Sequence, residues 1–247
     1  MQTSNPYFFC FDITLDSKLN YYLPTAFVVI KGSYKGYLDK KAVPEVLESL
    51  GIKKANLDQN TSQLLAICEI LKPSALFKKF ASKSKAKNIE DLLQDKKIAF
   101  ALKLFIELKL NLFLDIVEAN NFPLSLNLDA DKNFEKCKIY SEKSILEAKL
   151  SFVKHDIGIN YTLSLQEQDR LFLPSDHFVV IILNDPAWLI VDKNLYRLKD
   201  INSNKLKPFL KNKSIEIPAQ TVPKFFDTFI KDIVKKVKIE TNGFNVA

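Results

Sequence analysis

The chain has 247 residues, of which 47% are hydrophobic and only five are glycine, and this composition predicts a folded protein and excludes an intrinsically disordered one. The formal net charge is +7, and Arg170 and Arg197 are the only arginines. Lysine lacks the bidentate fork that reads guanine edges, so the charge favours non-specific phosphate contact over base-specific recognition.

The cysteines and the apolar segments indicate a cytoplasmic protein. Cys10, Cys68 and Cys137 are odd in number and widely spaced, which is typical of inert thiols in a reducing compartment. The N-terminus has no basic region or small-residue cleavage site, so secretion is not expected. Residues 98–117 are mostly apolar but contain four charged residues, so we expect them inside the fold and predict no membrane partner.

Two strands are predicted near the N-terminus. Phe9, Phe11 and Ile13 occupy every second position in residues 7–15, and residues 23–30 form another apolar run. A pair of adjacent strands is the simplest account of this pattern. Residues 31–36 are expected to form the loop that follows.

Helices are predicted from residue 39 to residue 121. Apolar residues recur every three or four positions before Gly51, where the first helix is expected to stop. The second helix ends before Pro73 and is expected to be capped by Asn60, Thr61 or Ser62.

The longest predicted helix covers about residues 97–119. Polar residues follow one another at spacings of four, four, four and three: Lys103, Glu107, Asn111, Asp115 and Glu118. This narrow polar stripe on an apolar cylinder predicts a helix that is packed on most of its sides. Lys103 and Glu107 are expected to form an exposed pair.

Two segments concentrate positive charge. Residues 72–87 contain six lysines and no acid, and residues 201–247 contain nine lysines and four acids. Such runs are usually solvated surface, but they are also the electrostatic footprint of nucleic-acid-binding proteins. The candidate nucleic-acid-binding residues are Lys78, Lys79, Lys83, Lys85, Lys87, Lys205, Lys207, Lys211, Lys213, Lys231 and Lys235.

After residue 121 the periodicity changes from helical to alternating, which predicts a domain boundary there. Residues 146–152 and 157–165 alternate between apolar and polar side chains, so two antiparallel strands joined near His155 are expected. The predicted fold class is α+β: a mainly helical part with a short β-hairpin (residues 1–121), then an antiparallel meander with a packed C-terminal helix (residues 122–247).

Residues 178–218 predict a three-stranded meander around Trp188, a short helix near Leu206 and an extended piece that ends at Pro218. The apolar stripe from 222 to 237 then predicts a helix with Thr221 as its cap.

The same segment carries a resemblance to a known family. It contains, in order, an apolar strand, Asp185-Pro186-Ala187-Trp188-Leu189, Leu195-Tyr196, Leu206-Lys207-Pro208-Phe209-Leu210, Ile215-Glu216-Ile217-Pro218 and an aromatic-rich helix. This order resembles the region N-terminal to the ATPase core of bacterial Swi/Snf-type helicase-like proteins, over roughly residues 140–247.

The resemblance implies a non-catalytic accessory region of a DNA-dependent ATPase whose motor follows residue 247. Its expected partners are that ATPase core and double-stranded DNA, contacted without sequence preference. The alternative is a protein-interaction module that docks an acidic partner without nucleic acid.

No catalytic residue, metal site or cofactor is predicted. The two histidines, His155 and His177, are expected in turns, because no second ligand stands at metal-binding spacing from either. Neither a Walker lysine nor a dinucleotide fingerprint is present. An enzyme of unrecognised type is a third hypothesis, since distant side chains can converge in a cleft.

Overall fold

A computed structural model describes residues 7–30, 40–41, 44–82, 85–128, 134–230 and 237–242. The chain divides into two compact units, Met1–Tyr140 and Ser141–Ala247. The fold class is α+β, as the sequence predicts. The predicted loop at residues 31–36 lies outside the described residues.

The first unit contains, in chain order, β1 (Tyr7–Asp16), β2 (Tyr21–Ile30), β3 (Lys40–Lys41), α1 (Pro44–Ser49), α2 (Gln59–Ile70), α3 (Pro73–Ala81), α4 (Ile89–Gln94), α5 (Lys96–Asn120), β4 (Leu124–Leu126) and α6 (Phe134–Cys137). β5 (Lys138–His155) begins in the first unit and continues into the second. The alternation of residues placed a boundary after residue 121, but β4 pairs in parallel with β1 and therefore belongs to the first unit.

β1 and β2 form the predicted antiparallel pair. Alternate side chains of a strand point to opposite faces of the sheet. On one face, Phe11 meets the rings of Phe113 and Phe122 edge to face, each with ring centroids 5.6 Å apart. On the other face, Cys10 packs in a buried cluster with Leu128 and Phe134. Both faces of β1 are thus covered.

The helix boundaries depend on local capping. Gly51, at φ +68°, follows α1 as predicted. The cap of α2 is Asp58, not one of the three predicted residues, because its carboxylate accepts hydrogen bonds from both the amide and the hydroxyl of Thr61. Among the helices that the structure describes, none combines the length and apolar character needed to cross a membrane.

α5 has the predicted polar stripe, and Lys103 Nζ lies 3.9 Å from Glu107 Oε1. The pair is not exposed as predicted, because the Glu107 side chain is only 13% exposed. Its buried side includes Leu102, Ile106, Leu110 and Phe113. The prediction that α5 is packed on most of its sides is wrong along one face, where three large apolar side chains are exposed: Phe100, Leu104 and Leu108.

The second unit contains, after β5, the elements β6 (Gly158–Glu167), β7 (Arg170–Phe172), β8 (Val179–Leu183), β9 (Ala187–Val191), β10 (Asn194–Leu198), α7 (Ser203–Leu206), β11 (Ile215–Pro218), α8 (Val222–Phe225) and β12 (Lys238–Asn242). β5 and β6 form the predicted hairpin. Their apolar positions line one core, except Ile157, which lies in the turn and is 69% exposed.

The predicted meander is β8, β9 and β10, paired in antiparallel order. Trp188 is fully buried, and the guanidinium carbon of Arg197 lies 4.7 Å from the centroid of its ring. This contact covers the indole with the stem and head of a cation that stays half-buried.

The structure describes the predicted C-terminal helix as far as Ile230. α8 continues as a π-helical turn, Phe226–Ile230, and Phe225 and Phe226 pack against Phe152 of the core. Residues 231–236 lie outside the described residues, and Val237 directly precedes β12, which pairs in parallel with β5. The apolar stripe therefore does not continue as a helix to Val237. Thr221 is the N-cap residue, as predicted, but its hydroxyl donates to the Pro218 carbonyl and makes no capping hydrogen bond.

Candidate polyanion-binding surface

Four candidate lysines lie on and after α3 in the first unit. Lys78 and Lys79 occupy the last turn of α3, and Lys85 and Lys87 lie in the connection to α4; all four are exposed. We call these four residues the 78–87 lysine surface. Lys83 lies outside the described residues.

α3 is held in place from its apolar side. Leu76 is fully buried, and Phe80 meets Phe105 of α5 with ring centroids 5.8 Å apart. Because residues four apart share a helix face, this side directs Lys78 and Lys79 outward. Lys79 Nζ lies 4.9 Å from the centroid of the Phe105 ring, so its stem is positioned while its ammonium group stays exposed.

The acidic residues of this region have other partners. Glu90 pairs with Lys18 at 2.7 Å, and this pairing lowers the pKa of the Glu90 carboxyl. Asp91 accepts a hydrogen bond from the backbone amide of Lys87, and Asp95 caps α5. Within the part of the chain that the structure describes, no ion pair engages the side chain of a lysine in the 78–87 surface.

A shallow groove of about 520 Å³ borders this surface. Its lining combines Lys85 with the apolar side chains of Leu92 and Ile98 and the carboxylates of Asp91 and Asp95. The groove therefore offers one ammonium group and two carboxylates beside apolar surface.

The second set of candidate lysines lies in the other unit and is partly neutralised. Lys213 Nζ forms an ion pair with Asp176 at 2.8 Å, and Lys205 is half-buried and already has an interaction partner. Lys207 and Lys211 are exposed. Lys231 and Lys235 lie outside the described residues. The first unit thus holds the denser set of lysines that are open to a phosphate.

Two buried or paired acidic residues elsewhere have structural roles. Asp12 is 1% exposed and accepts hydrogen bonds from Ser125 Oγ at 2.7 Å, from the Leu128 amide at 3.0 Å and from Thr14 Oγ1 at 2.5 Å. These bonds fix β4 and the residues after it against β1. A carboxylate so enclosed has no space for a substrate.

The His177–Asp192 pair closes the meander. His177 Nδ1 lies 2.9 Å from Asp192 Oδ2, and Asp192 Oδ1 accepts a hydrogen bond from the Phe178 amide. Beside His177, the pKa of the Asp192 carboxyl is lowered. His177 and Asp192 therefore have a structural role. Among the described residues, no group of three or more His, Cys, Asp or Glu is placed to hold a metal ion.

Comparison of this chain with models of protein families, with curated proteins and with solved structures found no significant match. The resemblance to bacterial Swi/Snf-type proteins stays a prediction from the residues quoted above.

Proposed function

We propose that this chain is a non-catalytic accessory region of a bacterial Swi/Snf-type helicase-like ATPase, and that its 78–87 lysine surface contacts the phosphates of duplex DNA. The observation that carries the proposal is the position of four exposed lysines whose side chains form no ion pair among the described residues, while the nearby Glu90 pairs with Lys18. Lysine contributes a point charge and no fork for base edges, so the contact is independent of sequence.

The function of such a contact is to hold the ATPase core on duplex DNA. The ATPase core downstream in the same polypeptide is the second partner, and chemistry belongs to that core. A cytoplasmic location is part of the proposal, and the three cysteines, Cys10, Cys68 and Cys137, support it because none of them forms a disulfide.

The test is fluorescence anisotropy of labelled duplexes of two unrelated sequences, titrated with the 247-residue chain at several salt concentrations. We expect equal affinity for both duplexes and a linear fall of log affinity with log salt. The variant Lys78→Glu/Lys85→Glu is expected to lose at least tenfold in affinity and to reduce the salt slope by about 1 to 2.

Lys207→Glu/Lys211→Glu is the matched control, because it changes the net charge equally from the second unit. If both double variants weaken binding equally, net charge and not the 78–87 lysine surface is responsible. An absence of binding at low salt refutes DNA contact altogether.

A second candidate is a protein-interaction module that docks an acidic partner through the same lysines. The four exposed lysines favour it, and the groove adds apolar surface from Leu92 and Ile98, although the carboxylates of Asp91 and Asp95 in the same lining would repel acidic side chains. This candidate predicts that an acidic peptide with apolar side chains binds and that duplex DNA does not compete with it.

A further inference from the structure

The exposed apolar face of α5 lies on a helix that is firmly held. Phe100, Leu104 and Leu108 are 64%, 50% and 65% exposed, at successive spacings of four residues. The opposite side of α5, including Leu102 and Ile106, is fully buried. Contiguous apolar side chains on a rigid support are typical of interaction sites. We call these three residues the α5 ridge.

Leu104 and Leu108 of the ridge belong to a longer seam with coiled-coil spacing, and Phe100 lies beside that seam. Residues spaced alternately by four and three share one line along a helix. The α5 seam consists of Lys97, Ala101, Leu104, Leu108, Asn111 and Asp115. It spans about 27 Å at 1.5 Å per residue. Its centre is apolar, one end is basic and the other is acidic.

This seam is complementary to itself when two copies run antiparallel. If Leu104 of one copy faces Leu108 of the other, Ala101 faces Asn111, and Lys97 faces Asp115. The same contacts repeat across the two-fold axis, as an isologous interface requires. Asp115 is half-buried and already has interaction partners, among them Asn111 Nδ2, whose hydrogen bond it accepts at 2.9 Å, and a carboxylate can accept from more than one donor.

We infer that the α5 ridge docks on the α5 ridge of a second copy of this chain, which makes an antiparallel, two-fold symmetric dimer. The opposite charges at the two ends of the seam favour a second copy of this chain over an acidic helix or an anionic membrane. A uniformly acidic helix would pair with Lys97 but would meet Asp115 at the other end of the seam. An anionic membrane lying along α5 would meet the same carboxylate. An antiparallel copy satisfies both ends.

The inference does not depend on DNA binding, because the seam includes none of the 78–87 lysine surface. The dimer is expected to be weak, because three large side chains from each copy supply an interface at the small end of specific complexes. A dimer of this kind responds to concentration and to single substitutions at its centre.

The first test is sedimentation velocity of the 247-residue chain over a wide range of concentration. We expect a monomer–dimer equilibrium that Leu104→Glu abolishes, because each copy would place a carboxylate against an apolar side chain. Leu171→Glu is the matched control: Leu171 is 51% exposed in the second unit, and this variant is expected to dimerise like the wild type. Circular dichroism confirms that both variants are folded.

The second test addresses the antiparallel register. Lys97→Asp and Asp115→Lys are each expected to weaken the dimer roughly tenfold, because each places two like-charged pairs across the two-fold axis. The double variant exchanges the charges and is expected to restore the dimer. A merely apolar association would not recover in this way.

Three results would overturn the inference. The first is a wild-type chain that remains monomeric at every concentration. The second is a dimer that Leu104→Glu leaves intact or that the charge exchange does not restore. The third is a monomer whose ridge binds anionic phospholipid vesicles or an acidic amphipathic peptide, and loses that binding in Leu104→Glu.

Discussion

Replacing Gly158 by alanine tests how closely β6 and β11 approach each other. A Cβ at Gly158 would lie 2.2 Å from the carbonyl oxygen of Ile217, 3.1 Å from its carbonyl carbon and 3.2 Å from Cα of Pro218. All three are backbone atoms, so no side-chain rotation can relieve the overlap. Position 158 therefore requires glycine, because no other residue lacks a Cβ.

The cost follows from the movement that the methyl group forces. β11 must retreat by about 1 Å or more before ordinary van der Waals distances return. That shift stretches the β6–β11 hydrogen bonds and loosens Ile217, which is 6% exposed. Overpacking costs typically about 1 to 3 kcal/mol and a lost hydrogen bond about 1 kcal/mol, so we expect Gly158→Ala to lower the free energy of unfolding by about 2 to 4 kcal/mol.

Urea unfolding followed by tryptophan fluorescence is the assay. Trp188 is the only tryptophan and is buried in the second unit, so its emission reports on the unit that contains Gly158. A free energy of unfolding for Gly158→Ala within about 0.5 kcal/mol of the wild-type value would refute the steric argument.

Gly51→Asn serves as the control for a different requirement. Gly51 has φ +68°, and an added Cβ there meets no atom within 4 Å. Asparagine tolerates the left-handed region better than other residues with a side chain, so we expect Gly51→Asn to be nearly neutral. Gly158→Asn is expected to be at least as damaging as Gly158→Ala.

Three further predictions concern buried and paired groups. Asp12→Ala should lower the free energy of unfolding by roughly 3 kcal/mol, measured by urea titration, because it leaves two buried donors and one part-buried donor without their acceptor. His177 lowers the pKa of Asp192, so this pair stabilises the fold above about pH 4, the ordinary carboxyl value, and loses that contribution as the pH falls through the folded pKa. Asp192→Asn should therefore reduce the loss of unfolding free energy on acidification. The expected difference is less than about 1 kcal/mol, because the Asp192 side chain is 53% exposed. Burial raises the thiol pKa of Cys10 and Cys68, so iodoacetamide should modify neither until the chain unfolds, as mass spectrometry can determine.

The elements that sequence predicted well are those whose pattern is local. The β5–β6 hairpin and the three strands around Trp188 need only alternation and turn residues, and both are present. The burial of both faces of β1 could not be predicted from a local pattern. Cys10 and Asp12 are buried by residues more than a hundred positions later, and no local pattern around them indicates a second covered face.

The exposed face of α5 was missed for a related reason. A helix that is apolar on nearly all sides has no pattern that tells which side its neighbours cover. The C-terminal prediction failed at Val237 because its spacing continues a helical stripe, although the chain there enters β12 and pairs with β5. Long-range strand pairing overrides such local periodicity.

The candidate site shows the same limit. Counting lysines located both positive segments, but only the structure separates Lys213, which Asp176 neutralises, from Lys85 and Lys87, which stay exposed without an ion pair among the described residues. The two partners of that ion pair are distant in sequence, so local charge counts overstate the charge available to a phosphate.

Only half of the 78–87 lysine surface, Lys85 and Lys87, is separable from the stability of the fold. Lys78 and Lys79 lie at the C-terminal end of α3, where a positive charge favours the helix dipole by about 0.3 to 1 kcal/mol. The contact of Lys79 with Phe105 adds a similar amount. Lys85 and Lys87 lie outside the helices, and their side chains make neither of these stabilising contributions. A charge reversal at Lys85 that abolishes phosphate binding while the unfolding midpoint stays unchanged can therefore be interpreted as loss of a direct contact.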